Sequence, residues 1–109
     1  MEEELLKIIE HFGVNIQQRK LAEEAFELNE AIFQYEEQKR VCEEFCSRLH
    51  CDKEREHIAE EIADVCVILR QFMEFYNITQ DEISERMANK IKRTFERIES
   101  GYYEKPDNC

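Results

Sequence analysis

The stretch KLAEEAFELNEAIFQY, residues 20–35, decides the fold. Leu21, Ala25, Leu28, Ile32 and Tyr35 recur at spacings of 4, 3, 4 and 3, the repeat that keeps an apolar stripe on one side of an α-helix and packs it as a bundle seam. A second stretch, HIAEEIADVCVILRQF at residues 57–72, repeats the pattern with Ile58, Ile62, Val65, Leu69 and Phe72. Ala59, Ala63, Cys66 and Ile68 widen its apolar surface beyond a single stripe, so this helix is expected to be central and packed on two sides.

Working outward, residues 2–12 form a short amphipathic helix with Leu5, Ile8, Ile9 and Phe12 on one face and three glutamates at its positive end. Gly13 ends it, and Asn15 is placed to cap the next helix. Val41, Phe45 and Leu49 repeat at a spacing of 4, so residues 36–52 read as a continuation of the second helix or as a separate short one. Asp52 is placed to cap the third helix. Asn77 breaks the pattern, and Thr79 with Glu82 makes a capping box for a last helix bearing Ile83, Met87, Ile91, Phe95 and Ile98. Gly101 stops that helix. Residues 102–109 lack periodicity and are expected to be a flexible tail. The fold class is therefore all-α, a four- to five-helix bundle over residues 1–101.

Composition agrees. Only 2 Gly and 1 Pro occur in 109 residues, and none lies between Gly13 and Gly101, which argues against hairpin-rich β folds and flexible linkers. A formal charge of −11 disfavours a nucleic-acid polymer or an anionic membrane as partner, since phosphate selects for clustered Lys and Arg. No apolar run approaches the roughly 18 residues of a membrane span, and Met1 opens onto Glu2, Glu3 and Glu4 rather than a basic leader. The 5 Cys are odd in number and form no C-x-x-C, so they read as reduced thiols of a cytoplasmic protein. A chain this size buries only about two-thirds of its unfolded surface, which makes a homo-oligomer the expected state.

The chemistry lies in two acidic clusters set within the seams: Glu23, Glu24 and Glu27 on the second helix, and Glu60, Glu61 and Asp64 on the third. Helical residues three apart lie about 60° apart in azimuth, so Glu24 with Glu27, and Glu61 with Asp64, each aim two carboxylates at one spot. Each pair precedes equivalent seam positions, and packing the helices together makes the pairs face each other. Four carboxylates in a half-buried cleft raise one another's pKa unless a cation neutralises them. All-oxygen ligands favour Mg²⁺, with Mn²⁺ as the second choice, over Zn²⁺. The competing reading is a solvated helix face, which a chain with 26 acids can carry by composition alone.

The segments KLAEEAFEL (20–28) and EEIADV (60–65) resemble the EExxE and EExxD motifs of MazG-like nucleotide pyrophosphohydrolases, the all-α NTP pyrophosphatase superfamily. Asn89 and Lys90, followed by Arg93 and Arg97, are similar to that family's Asn/Lys/Arg run on the last helix. The resemblance covers residues 15 to 100 or so. It implies a helical bundle, dimeric or a tetramer of dimers, that binds Mg²⁺ and cleaves nucleoside triphosphates to monophosphate and pyrophosphate. Glu24, Glu27, Glu61 and Asp64 would hold metal, while Glu23 and Glu60 would stand one layer out. Lys90 and Arg93 would meet phosphate, with Asn89 near the substrate and Lys20 a further contact. A carboxylate left free of metal, Glu23 or Glu27 being nearest, would take the proton of the attacking water. Residues 28–59 separate the two motifs, more than is common in the family, and residues 36–52 account for the excess.

Other constellations were weighed. Glu54 and His57 have the Glu-x-x-His spacing of di-iron bundles, but no second such pair exists. Cys42, Cys46 and His50 fall at i, i+4 and i+8, unlike the short turn-forming spacings of structural zinc. The alternative from a different class is a non-catalytic acidic helical module that binds a protein or a nucleotide.

Overall fold

The computed structural model describes residues 1–45 and 52–101. Among them are four helices and no strand: α1 (Glu2–Phe12), α2 (Val14–Phe45), α3 (Asp52–Phe75) and α4 (Gln80–Glu99). The chain divides into two compact units, Met1–Tyr76 and the residues from Asn77 onward. No described helix is long and apolar enough to cross a membrane.

Gly13 separates α1 from α2 because it adopts φ 89°, a left-handed region that side chains disfavour. Its N–H donates to the Ile9 carbonyl, and its own carbonyl accepts from Gln17 N–H to start α2. Asn15 therefore lies inside the first turn of α2 rather than capping it, since the glycine already provides the boundary. Residues 36–45 continue α2 without a break. Asp52 is likewise the first residue of α3 rather than a cap outside it. Leu49, Cys46, His50 and the 102–109 tail lie outside the described residues.

Asn77 turns the chain at φ 59°, the conformation its short polar side chain tolerates best after glycine. Thr79 then caps α4, its Oγ1 accepting from Glu82 N–H at 3.1 Å. At the far end Gly101, φ 77°, donates its N–H to the Ile98 carbonyl.

In the first unit α3 packs against both α1 and α2, the central position expected for it. Leu5 and Ile9 fasten α1, and Ile9 is completely buried. The α2 seam runs through Gln17, Leu21, Glu24, Leu28, Ala31, Tyr35, Gln38 and Cys42, all buried or half-buried. The α3 seam runs through Glu54, Ile58, Glu61, Val65, Ile68 and Phe72. Both keep the 4, 3 alternation but in a different phase from the apolar stripe. Ala25, Ile32, Ile62 and Leu69 face outward, while Glu24 and Glu61 take interior places that the stripe assigned to aliphatic side chains.

The outward faces stay apolar. Phe26 and Phe33 are each 64% exposed, and Ile62, Val67 and Leu69 are nearly half exposed. On α4, taken by itself, Met87, Ile91, Phe95 and Ile98 form a similarly open stripe, and no residue of that helix is buried.

Candidate functional site

Seam positions 24 and 61 bring the two acidic motifs together. Glu24 is 6% and Glu61 9% exposed, and with Asp64 each offers a carboxylate oxygen, all within 4.8 Å of one another. Asp64 sits three residues after Glu61 on the exposed edge of α3, the azimuth at which a shorter side chain still reaches the seam.

The two buried glutamates are held in parallel fashion. Lys20, one turn before Glu24, places Nζ 3.1 Å from Glu24 Oε1. His57, one turn before Glu61, places Nε2 3.2 Å from Glu61 Oε1. In both residues the second oxygen, Oε2, is buried without a hydrogen-bond partner. Orphaned carboxylate oxygens cost several kcal/mol of lost hydration unless a cation or donor reaches them. Two such atoms beside Asp64 fit a hard divalent cation, whose preferred ligands are carboxylate oxygens.

Electrostatics extend the site to Glu27. Its carboxyl is held above the usual glutamate range, first by the charge of Glu24, then by partial desolvation and by Glu61, with Lys20 opposing. The same negative field, led by the Glu24 hydrogen bond, raises the Lys20 ammonium. Glu27 thus borders the group as a carboxylate with enhanced proton affinity, outside the cluster formed by Glu24, Glu61 and Asp64. Glu23 and Glu60 are exposed beside it.

A cavity of about 460 Å³ opens next to these carboxylates. Glu24, Asp64 and Lys20 line it, and Ile8, Phe12, Ile16, Val67 and Ile68 supply apolar walls from α1, α2 and α3. Gln17 and Gln71 also line it, joined by a buried hydrogen bond from Gln17 Nε2 to Gln71 Oε1 of 2.8 Å. Neither glutamine was apparent as a site residue from the sequence, because 54 positions separate them and each is locally an ordinary polar residue. His57 was legible only as a partner of Glu54, whereas the fold turns it toward Glu61.

On α4, Lys90, Arg93, Thr94 and Arg97 line a shallow concavity of about 380 Å³. Three basic side chains on one helical face form a surface suited to phosphate oxygens. Asn89 is exposed beside this strip.

No family model matches the sequence, and no curated protein or solved structure matches it either.

Proposed function

We propose that this chain is a Mg²⁺-dependent nucleoside triphosphate pyrophosphohydrolase of the MazG-like type, which releases pyrophosphate and a nucleoside monophosphate. The observation that carries the proposal is the meeting of Glu24, Glu61 and Asp64 within 4.8 Å, with two buried carboxylate oxygens left unpartnered. These are the motif positions that the resemblance assigns to metal.

Glu24, Glu61 and Asp64 would hold the cation, and Glu27 would complete the set from the rim if it turned inward. When bound, Mg²⁺ supplies charge neutralisation and polarises the phosphoryl oxygens. A carboxylate left free of metal, Glu27 on the rim or the exposed Glu23 beside it, would take the proton of the attacking water. The cavity beside the carboxylates takes the nucleoside, a cleft of the usual size for a small-molecule site. Lys20 is a further substrate contact beside the carboxylates, and on α4, considered by itself, Lys90, Arg93 and Asn89 are the residues that the resemblance gives to substrate phosphate.

The exposed apolar faces of α2 and α3 support a homodimer or homotetramer, because monomers seldom leave such surfaces in water. Cys42 and Cys66 are free thiols, in keeping with a cytoplasmic protein. Pyrophosphate release across a panel of NTPs and dNTPs with Mg²⁺ tests the assignment. A binding module without turnover is the outcome that replaces it.

A further inference from the structure

We propose that the Gln17–Gln71 amide pair reads the hydrogen-bonding edge of the nucleobase, making these two side chains the specificity-determining residues of the cavity. This rests on the reading of the carboxylate site as a nucleotide site.

Gln17 and Gln71 are 5% and 2% exposed, in a cavity whose remaining walls are largely aliphatic and aromatic. Burying amides is unfavourable unless they are hydrogen-bonded, whereas an apolar pair of the same shape fills such a place at little or no loss of stability. One mutual bond occupies a single N–H and a single carbonyl lone pair out of the larger capacity of two carboxamides. The geometry leaves Gln17 Oε1 as an acceptor and Gln71 Nε2 as a donor. If both amides turn over together, the bond reverses and the pair again presents one donor and one acceptor. Either way it offers the complement of an edge with adjacent acceptor and donor groups, which every nucleobase carries and a bare polyphosphate does not.

Location makes the assignment specific. The same cavity is lined by Lys20, Glu24 and Asp64 as well as by Phe12, Ile68 and the amides, so with a divalent cation on the carboxylates a nucleotide lying in it would place its anionic part at that cation and its neutral part among the apolar walls and the amides. That polarity matches a nucleotide, with an anionic tail and a flat base.

The test is direct binding by calorimetry of uridine, cytidine, adenosine and guanosine, and separately of inorganic tripolyphosphate with Mg²⁺. The protein is compared with Gln17→Met/Gln71→Met, which removes both amides at similar side-chain length. At least one nucleoside is expected to bind the unaltered protein and to lose tenfold or more in affinity in the double variant, a loss at least tenfold larger than that for tripolyphosphate. Gln71→Glu provides a readout that misfolding cannot imitate. It turns the donor and acceptor into two acceptors, so preference should shift toward guanosine, whose N1–H and N2–H are adjacent donors. Equal nucleoside binding by the protein and the double variant overturns the inference. So does tripolyphosphate binding without any nucleoside binding, which leaves the metal site standing. Failure to bind either probe removes the nucleotide reading and this inference with it.

Discussion

Glu24 on α2 and Glu61 on α3 are held alike: each has Oε1 against a basic side chain one helical turn earlier, Lys20 or His57, and each leaves Oε2 buried and unpartnered. The resulting site is acidic, partly buried and short of positive charge. Its properties follow from that shortage.

Divalent cation should relieve it. Mg²⁺ or Mn²⁺ binding only the folded state stabilises by about 2.7 kcal/mol at a hundredfold excess over Kd. Thermal melts should rise by several degrees with millimolar cation and return on chelation. An unchanged melting temperature, with or without nucleotide, removes the site.

Neutralising the ligands should separate stability from activity. Glu24→Gln, Glu61→Gln and Asp64→Asn each remove a charge with little change of shape, and each should cost roughly two or more orders of magnitude in turnover. Without metal, the first two should melt no lower than the unaltered protein, because repulsion within the carboxylate cluster is relieved while a side-chain oxygen remains for Lys20 or His57. Paired melting curves and kinetics check both halves.

Glu27 gives a pH prediction. Its carboxyl is raised, chiefly by Glu24, so its ionised form disfavours folding. The folded state binds this proton more tightly than the unfolded state, and stability from it is present at acid pH and lost as pH rises through the raised pKa. Glu27→Gln should therefore melt higher than the unaltered protein at neutral pH without metal. The difference should close once the pH falls below the ordinary glutamate value. Melts across a pH series decide it.

The basic strip should act on binding instead. Lys90→Ala is expected to raise the KM for nucleotide by about tenfold with a smaller effect on kcat, because it deletes a phosphate contact and leaves the carboxylates untouched. Initial-rate kinetics at saturating Mg²⁺ make the split visible.

Much of the fold was legible because helices advertise their boundaries. Gly13, the Thr79 cap and Gly101 behave as their sequence context requires. The seam was legible in period but not in phase. Apolar patterning favoured Ile62 and Leu69, yet both face outward, while Glu61 and Ile68 lie inside. A rule that sends charge to water does not anticipate glutamates buried in a helix seam. The acidic motifs themselves were legible by spacing, but of the four carboxylates expected to face one another only Glu24, Glu61 and Asp64 meet, and Glu27 stands outside them. The Gln17–Gln71 contact was not, since only tertiary packing joins residues so far apart in the chain.

The identity of the products decides between pyrophosphate release and any other reaction. Incubated with Mg²⁺ and a nucleoside triphosphate, the protein should release pyrophosphate and the monophosphate, in a reaction abolished by Glu61→Gln. Orthophosphate with nucleoside diphosphate, or no metal-dependent product from any nucleotide, would contradict it.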